Sequence, residues 1–262
     1  MKALTDLVHI AGKDLRAFFV SPIAYVVLTG FVVLSGWFFF NLLVQFNRMM
    51  GMYEMLRRPD IASQLNLNDL VMLPLMYNMT IVLLLMIPLV TMRLFSEEKK
   101  LKTDELLLTS PISINSIVLG KYLASLIFLL SMLALTLIYP LILFRYGQPG
   151  PEAGPIMAGY IGLFLLGGSF LAVGLFASSL TENQIVAAVI CFVTLLLFFV
   201  IGWPAQTVGA TLGKVLGYLS LIEHFTEFSK GLVDGRHVVY FLSFILFALF
   251  LTKRSIESSR WR

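Results

Sequence analysis

Four acidic residues are paired along the chain, Glu97 with Glu98 and Asp104 with Glu105. Adjacent carboxylates are raw material for acid–base or metal chemistry. These lie in FSEEKKLKTDELLLTSPIS, residues 95–113, interleaved with lysines at 99, 100 and 102. Such a mixed-sign run reads first as solvated helix surface. The histidines His9, His224 and His237 are far apart in sequence, so a metal site among them would need tertiary contact. Cys191 is the single cysteine, which excludes an intrachain disulfide and any Cys/His zinc pattern. The string GATLGKV, residues 209–215, is one residue short of a Walker A between its glycines and lacks the Ser or Thr that holds Mg²⁺. It reads as a loop. No Gly-x-Ser-x-Gly and no HExxH occurs. The residues therefore predict no catalytic centre, no metal and no cofactor in this chain.

The elements that must carry the island explain its setting. Of 262 residues, 58% are hydrophobic and 13% charged. A soluble domain carries about 25% charged residues, so the composition is that of a membrane protein. The net charge of +4 fits a loop bias better than nucleic-acid binding. Five intervals between charges, Arg16–Arg48, Asp69–Arg93, Lys121–Arg145, Glu152–Glu182 and Glu182–Lys214, hold 31, 23, 23, 29 and 31 uncharged residues. About 20 residues of helix cross a bilayer. A sixth run, residues 238–251, is only 14 long, with His237 and the Gly231–Gly235 region to extend it. Continuous rather than alternating apolar runs exclude an outer-membrane barrel, and in lipid each span must be helical. The first span is too long for a signal-peptide core and is expected to remain as an anchor. The expectation is an all-α integral membrane protein with six transmembrane helices in one domain, 1–262. With the N-terminus inside, twelve Lys and Arg fall on inner segments and seven on outer ones. This bias puts both termini and residues 93–120 in the cytoplasm.

Three further segments are distinctive. Residues 1–17 set Leu4, Leu7, Val8, Ala11 and Leu15 at helical spacing, continued by Phe18 and Phe19, against Lys2, Asp6, His9, Lys13 and Arg16. That pattern suits an interfacial helix on the lipid bilayer, with a simple extension of the first span as the alternative. The fourth span is rich in small residues, among them Gly162, Gly167, Gly168 and Gly174, which let helices approach closely, within the chain or between subunits. Residues 203–237 mix glycines with apolar stretches and would fit re-entrant or surface-lying helices. None of the five long spans holds an Asp, Glu, Lys, Arg or His in its interior. Ion-coupled transporters usually do, so energy is expected from a cytoplasmic partner.

Within the island, Ser96 is placed to cap a short helix with Glu97 and Glu98 at its positive end. Glu98 and Lys102 have i,i+4 spacing. Thr103, Asp104 and Glu105 would begin a second helix carrying Leu106, Leu107 and Leu108; Ser110-Pro111 would end it, with Ser110 capping the third span. The carboxylates read as too exposed to matter for stability. The element is either a plain hairpin loop or a docking surface.

The string FSEEKKLKTDELLLTSPISINSIVLGKYLAS resembles the loop of type-2 ABC exporter permeases, in particular the gliding-motility and copper-reductase-maturation subgroup. HFTEFSKGLVDGRHVVYFLSFILFALFLT and KDLRAFFVSPIAYVV resemble the same group, so the resemblance spans nearly the whole chain. It implies a six-helix inner-membrane permease with an N-terminal interfacial helix and re-entrant outer helices between spans five and six. It implies pairing with a second permease, identical or homologous, and a separate ATPase dimer that binds ATP and Mg²⁺. Glu97, Glu98, Lys99, Lys100, Thr103, Asp104, Glu105, Leu106, Leu107, Ser110 and Pro111 would then form the coupling loop that meets the ATPase. Such permeases move varied substrates by alternating access. The alternative is a non-transporting anchor that couples the ATPase to an extracytoplasmic partner, such as a membrane protein with a large periplasmic domain.

Overall fold

The computed structural model describes residues 2–56, 65–103, 112–147, 150–206 and 209–259. Every regular element among them is helical: α1 (Lys2–Val20), α2 (Pro22–Met55), a π turn (Asn68–Met72) running into α3 (Leu73–Thr91), α4 (Ser96–Lys100), α5 (Ile114–Thr136), α6 (Ile138–Tyr146), α7 (Ala153–Leu180), α8 (Gln184–Val200), a 3₁₀ turn (Trp203–Gln206), α9 (Ala210–Leu219), α10 (Leu221–Ser229) and α11 (Gly235–Ser259). Six segments are long and apolar enough to cross a membrane: Pro22–Tyr53, Asn68–Lys100, Ile114–Tyr146, Ala153–Leu180, Gln184–Ala205 and Gly235–Ser258. The chain is an all-α, multi-pass membrane protein. The sixth span outruns its 14-residue apolar run because the helix starts at Gly235 and continues past Thr252.

Prolines set two of the breaks. Pro22 restricts Ser21 and ends α1 there; the Ser21 N–H donates to the carbonyls of Ala17 and Phe18. So α1 is a separate helix, not an extension of the first span. It lies against α5. A Cβ on Gly120 would stand 2.9 Å from the Ile10 Cβ, so this glycine allows the close approach. Phe18 stacks on Phe128 at 5.2 Å. The inward face of α1 carries the buried Ile10, Ala11 and Asp14, while Val8 and Phe19 are exposed. Pro140 cannot continue the α5 ladder, and the helix breaks at Leu137 before α6.

The centre of the bundle is α7, whose span is 78% buried against 28% for the spans of α2 and α8. Its small residues meet side chains of this same chain: Gly162 meets Phe225 and Phe228 of α10, Gly167 meets Leu129, Gly168 meets Tyr122, and Gly174 meets Thr91. The Tyr122 hydroxyl also donates to the Gly168 carbonyl at 3.1 Å. Small side chains thus let α3, α5 and α10 close onto one axis.

The two ends of the bundle differ. One gathers α4, the start of α5, the Thr181–Asn183 turn and the end of α11; there the Asn183 side chain caps α8 by accepting from Ile185 and Val186 N–H. The other gathers the π turn, Glu152 and the region from the 3₁₀ turn through α10, with Asn68 Nδ2 donating to the Glu152 carbonyl at 3.2 Å. Residues 203–237 are mostly short helices, not an irregular loop.

Candidate functional site

The polar island begins where α3 ends. The chain turns at Met92–Phe95 and forms the single-turn α4. The turn is pinned to the end of α7. Phe95 N–H and Ser96 N–H both donate to Ser178 Oγ, at 3.0 and 3.1 Å. Lys99 Nζ donates to the Ser179 carbonyl at 2.5 Å, and Ser255 Oγ from α11 donates to the same carbonyl at 3.1 Å. A cation on the last carbonyls of a helix is favoured by the free acceptors and the helix dipole. Ser96 is not the expected cap. It is buried, its hydroxyl donates back to the Met92 carbonyl, and Phe95 occupies the cap position. The third span is capped by Ser113, whose Oγ accepts from Ser116 N–H, so Ser110 does not hold that cap.

The charges are arranged differently from the expected i,i+4 pair. Lys121, with a side chain 3% exposed, reaches Glu98 Oε1 at 2.9 Å and Asp14 Oδ2 at 3.2 Å. The Asp14 contact is within ion-pair distance, but Asp14 Oδ2 lacks hydrogen-bond alignment; Glu98 Oε2 is likewise buried without a hydrogen-bond partner among the described residues. Lys13 reaches Glu98 Oε1 at 3.5 Å but is 66% exposed, so it contributes little. The Lys121 ammonium also lies over the Phe95 ring, 5.1 Å from its centroid. Glu98 is therefore a largely inward, partly buried structural carboxylate, 17% exposed, and not the solvated one expected. It cannot pair with Lys102, which sits in a turn at φ +54°. Glu97 faces out and pairs with Arg93 at 3.3 Å, while Arg93 donates to Ser21 Oγ at 2.9 Å, at the junction of α1 and α2.

This network fastens four elements: α1 through Asp14, α4 through Glu98, α5 through Lys121 and the α1–α2 junction through Arg93. Beside it is a cavity of about 340 Å³ lined by Phe18, Leu94, Leu101 and Thr103 together with the charged groups. Lys100, Leu101, Lys102 and Thr103 form an exposed tip, with Thr103 N–H donating to the Glu98 carbonyl at 2.9 Å. Of the remaining loop residues, Asp104, Glu105, Leu106, Leu107, Ser110 and Pro111 lie outside the described residues. On α1, Asp6 is half-buried, Arg16 is exposed, and Lys2 lies in the first turn.

Sequence reasoning missed Asp14, Lys121, Arg93 and Ser178. Two signals were available. Asp14 follows Ile10 and Ala11 at i+4 and i+3, so it belongs to the inward stripe. Lys121 falls at i+4 from Ile117 and i−4 from Ser125, both buried.

Among the described residues, the polar side chains of the site join helices to one another. The site is a mechanical joint at one end of a helical bundle, with an exposed tip. The profile of the ABC-2 family transporter proteins matches residues 59–222, which include the tip and the whole of α3 to α9. No curated protein matches the chain. With well over half of its length matched, and with six spans of which one is the central small-residue helix α7, the chain belongs to the ABC-2 transporter family.

Proposed function

We propose that this chain is the permease subunit of an ATP-driven exporter-type complex in the cytoplasmic membrane, with both termini and α4 on the cytoplasmic side. A separate ATPase dimer docks on the tip at residues 100–103 and its continuation to 111, and a second permease completes the membrane pathway. The observation that carries this reading is the Asp14–Lys121–Glu98 network. A displacement applied at α4 is passed directly to α1 and α5, because each holds a charge that the others neutralise. A charge left behind in that setting would cost several kcal/mol, so the joint favours moving as a unit. At the far end, α9 and α10 fill the place of re-entrant outer helices. ABC-2 membership favours transport over a passive anchor, and the cycle would be alternating access.

The test is to purify the tagged chain from native membranes in mild detergent and reconstitute what co-purifies. The reading expects an ABC ATPase in the complex and an activity that needs ATP and survives collapse of the proton gradient. An activity abolished by an ionophore at constant ATP, or a chain that purifies without any ATPase, would defeat it.

A further inference from the structure

The opposite end of the bundle holds a second cluster. His224 on α10 and His237 in the first turn of α11, thirteen residues apart, meet with their Nδ1 atoms 2.6 Å from each other. His224 Nε2 lies 3.0 Å from the Tyr218 carbonyl at the end of α9. A carbonyl only accepts, so His224 carries its proton on Nε2 and offers a lone pair at Nδ1. His237 must then donate from its own Nδ1, which leaves His237 Nε2 as the remaining basic nitrogen of the pair. The His224 ring is held in this orientation by Tyr240, stacked at 3.7 Å and 14°, and by the edge of Tyr218 at 5.5 Å. Both histidines line an open cavity of about 950 Å³.

Among the described residues no three His, Cys, Asp or Glu are grouped to hold a metal ion. The charged groups of the cavity are Lys214 of α9, with Glu223 and Glu227 of α10. Glu227 pairs with Lys230 at 3.0 Å on the surface. Tyr218 and Tyr240 also face the pair, and the exposed Asp234 and Arg236 flank His237, whose backbone N–H donates to the Asp234 carbonyl at 3.1 Å. Three further helices, α3, α7 and α8, pack on α10 and carry no charged residue; their titratable side chains are Tyr77, Tyr160 and Cys191.

We propose that His224 and His237 form a two-stage proton latch: one added proton, taken at His237 Nε2, tightens the bond between α10 and α11, and a second drives the rings apart and releases α10 from α11. The first proton leaves the donor and acceptor roles intact and converts a neutral bond into a charge-assisted one, which is roughly twice as strong. The second has only His224 Nδ1 to go to, the atom that accepts the bond. Burial against α7 and the neighbouring His237 hold the His224 pKa below its ordinary value of 6.5, with the Tyr218 carbonyl opposing them in part. A histidine kept neutral in the fold binds its proton more readily once released. The contact is therefore stable above the ordinary imidazole range and fails as pH falls below it. Tightening followed by release gives a non-monotonic response, which independent histidines would not produce.

The test is ¹⁵N-histidine NMR of the full chain in nanodiscs, from about pH 8 to about pH 5, the span over which imidazoles titrate. The exposed His9 on α1 is the internal control. The expected spectra show His224 protonated at Nε2 and bare at Nδ1 throughout the first step, while His237 gains a proton at Nε2. His224→Phe, which removes the acceptor at Nδ1, should abolish the two-step response and leave a single one. A thiol probe at Thr226→Cys, in a Cys191→Ser background and normalised to a Gly12→Cys site, should label more slowly after the first step and faster after the second. Two histidines that titrate independently near their ordinary values, or a His224 protonated at Nδ1 in the neutral state, would overturn the proposal. The wild-type spectra decide this even if the Phe variant fails to fold.

Discussion

Replacing Lys121 by Met should be the most damaging single change in the joint around α4. The ammonium stands 2.9 Å from Glu98 and 3.2 Å from Asp14, side chains that are 17% and 10% exposed. Its removal leaves the buried Asp14 and the partly buried Glu98 as unneutralised carboxylates facing each other, with the solvent-exposed Lys13 as the nearest cation. Breaking a buried pair by deleting one partner costs about 3–5 kcal/mol. Glu98→Gln is milder, because Asp14 still neutralises Lys121; the loss is that of one charge-assisted bond, about 1.5–3 kcal/mol. Glu97→Gln removes only the half-exposed i,i+4 pair with Arg93, about 0.3–0.5 kcal/mol. Combining Lys121→Met with Asp14→Asn should recover part of the loss, since one buried anion goes with the cation. Thermal midpoints of the purified variants, read by fluorescence-detected size exclusion in one detergent, give the order directly. A Lys121→Met variant that melts with the wild type, or a Glu97→Gln variant as unstable as Lys121→Met, would contradict this order.

Packing on α7 makes a second prediction: Gly174→Val, whose Cβ would fall 2.6 Å from that of buried Thr91, should cost about 1–3 kcal/mol by overpacking. Gly12→Ala, with nothing within 4 Å, should instead stabilise by about 1 kcal/mol through helix propensity; equal midpoints for the two would contradict this account of the glycines. For topology, single cysteines at Lys102 and Gly150 in a Cys191→Ser background should differ toward an impermeant thiol reagent applied outside. Labelling is expected at 150 and not at 102, and labelling at 102 alone would invert the proposed orientation.

The spans were legible because burial in lipid demands long charge-free runs, and Arg16–Arg48 or Glu182–Lys214 can hardly be read another way. The sixth span was harder. Polar positions such as Ser243 and Thr252 interrupt it, and Thr252 satisfies its hydroxyl locally by donating to the Ala248 carbonyl at 2.9 Å. Within the island, charge spacing misled. A pattern such as Glu98–Lys102 assumes that the helix continues, whereas α4 stops after one turn and Glu98 turns inward to a lysine 23 residues away. Local spacing can mark Lys121 as inward, but it does not name a partner 23 residues away. The same holds for the histidines, which sequence separation made look unrelated until the α10–α11 turn brought them together. That turn uses Gly231 at φ +88°, a conformation that glycine adopts without strain.

The central claim, that the tip beyond α4 is where a separate ATPase engages, is tested most directly by site-specific photo-crosslinking in native membranes. A photoreactive residue replacing exposed Lys102 should give an adduct whose partner, identified by mass spectrometry, is an ABC ATPase. The same residue replacing exposed Tyr218, at the opposite end of the bundle, should give none with that protein. An ATPase adduct at 218 and none at 102 would contradict the account.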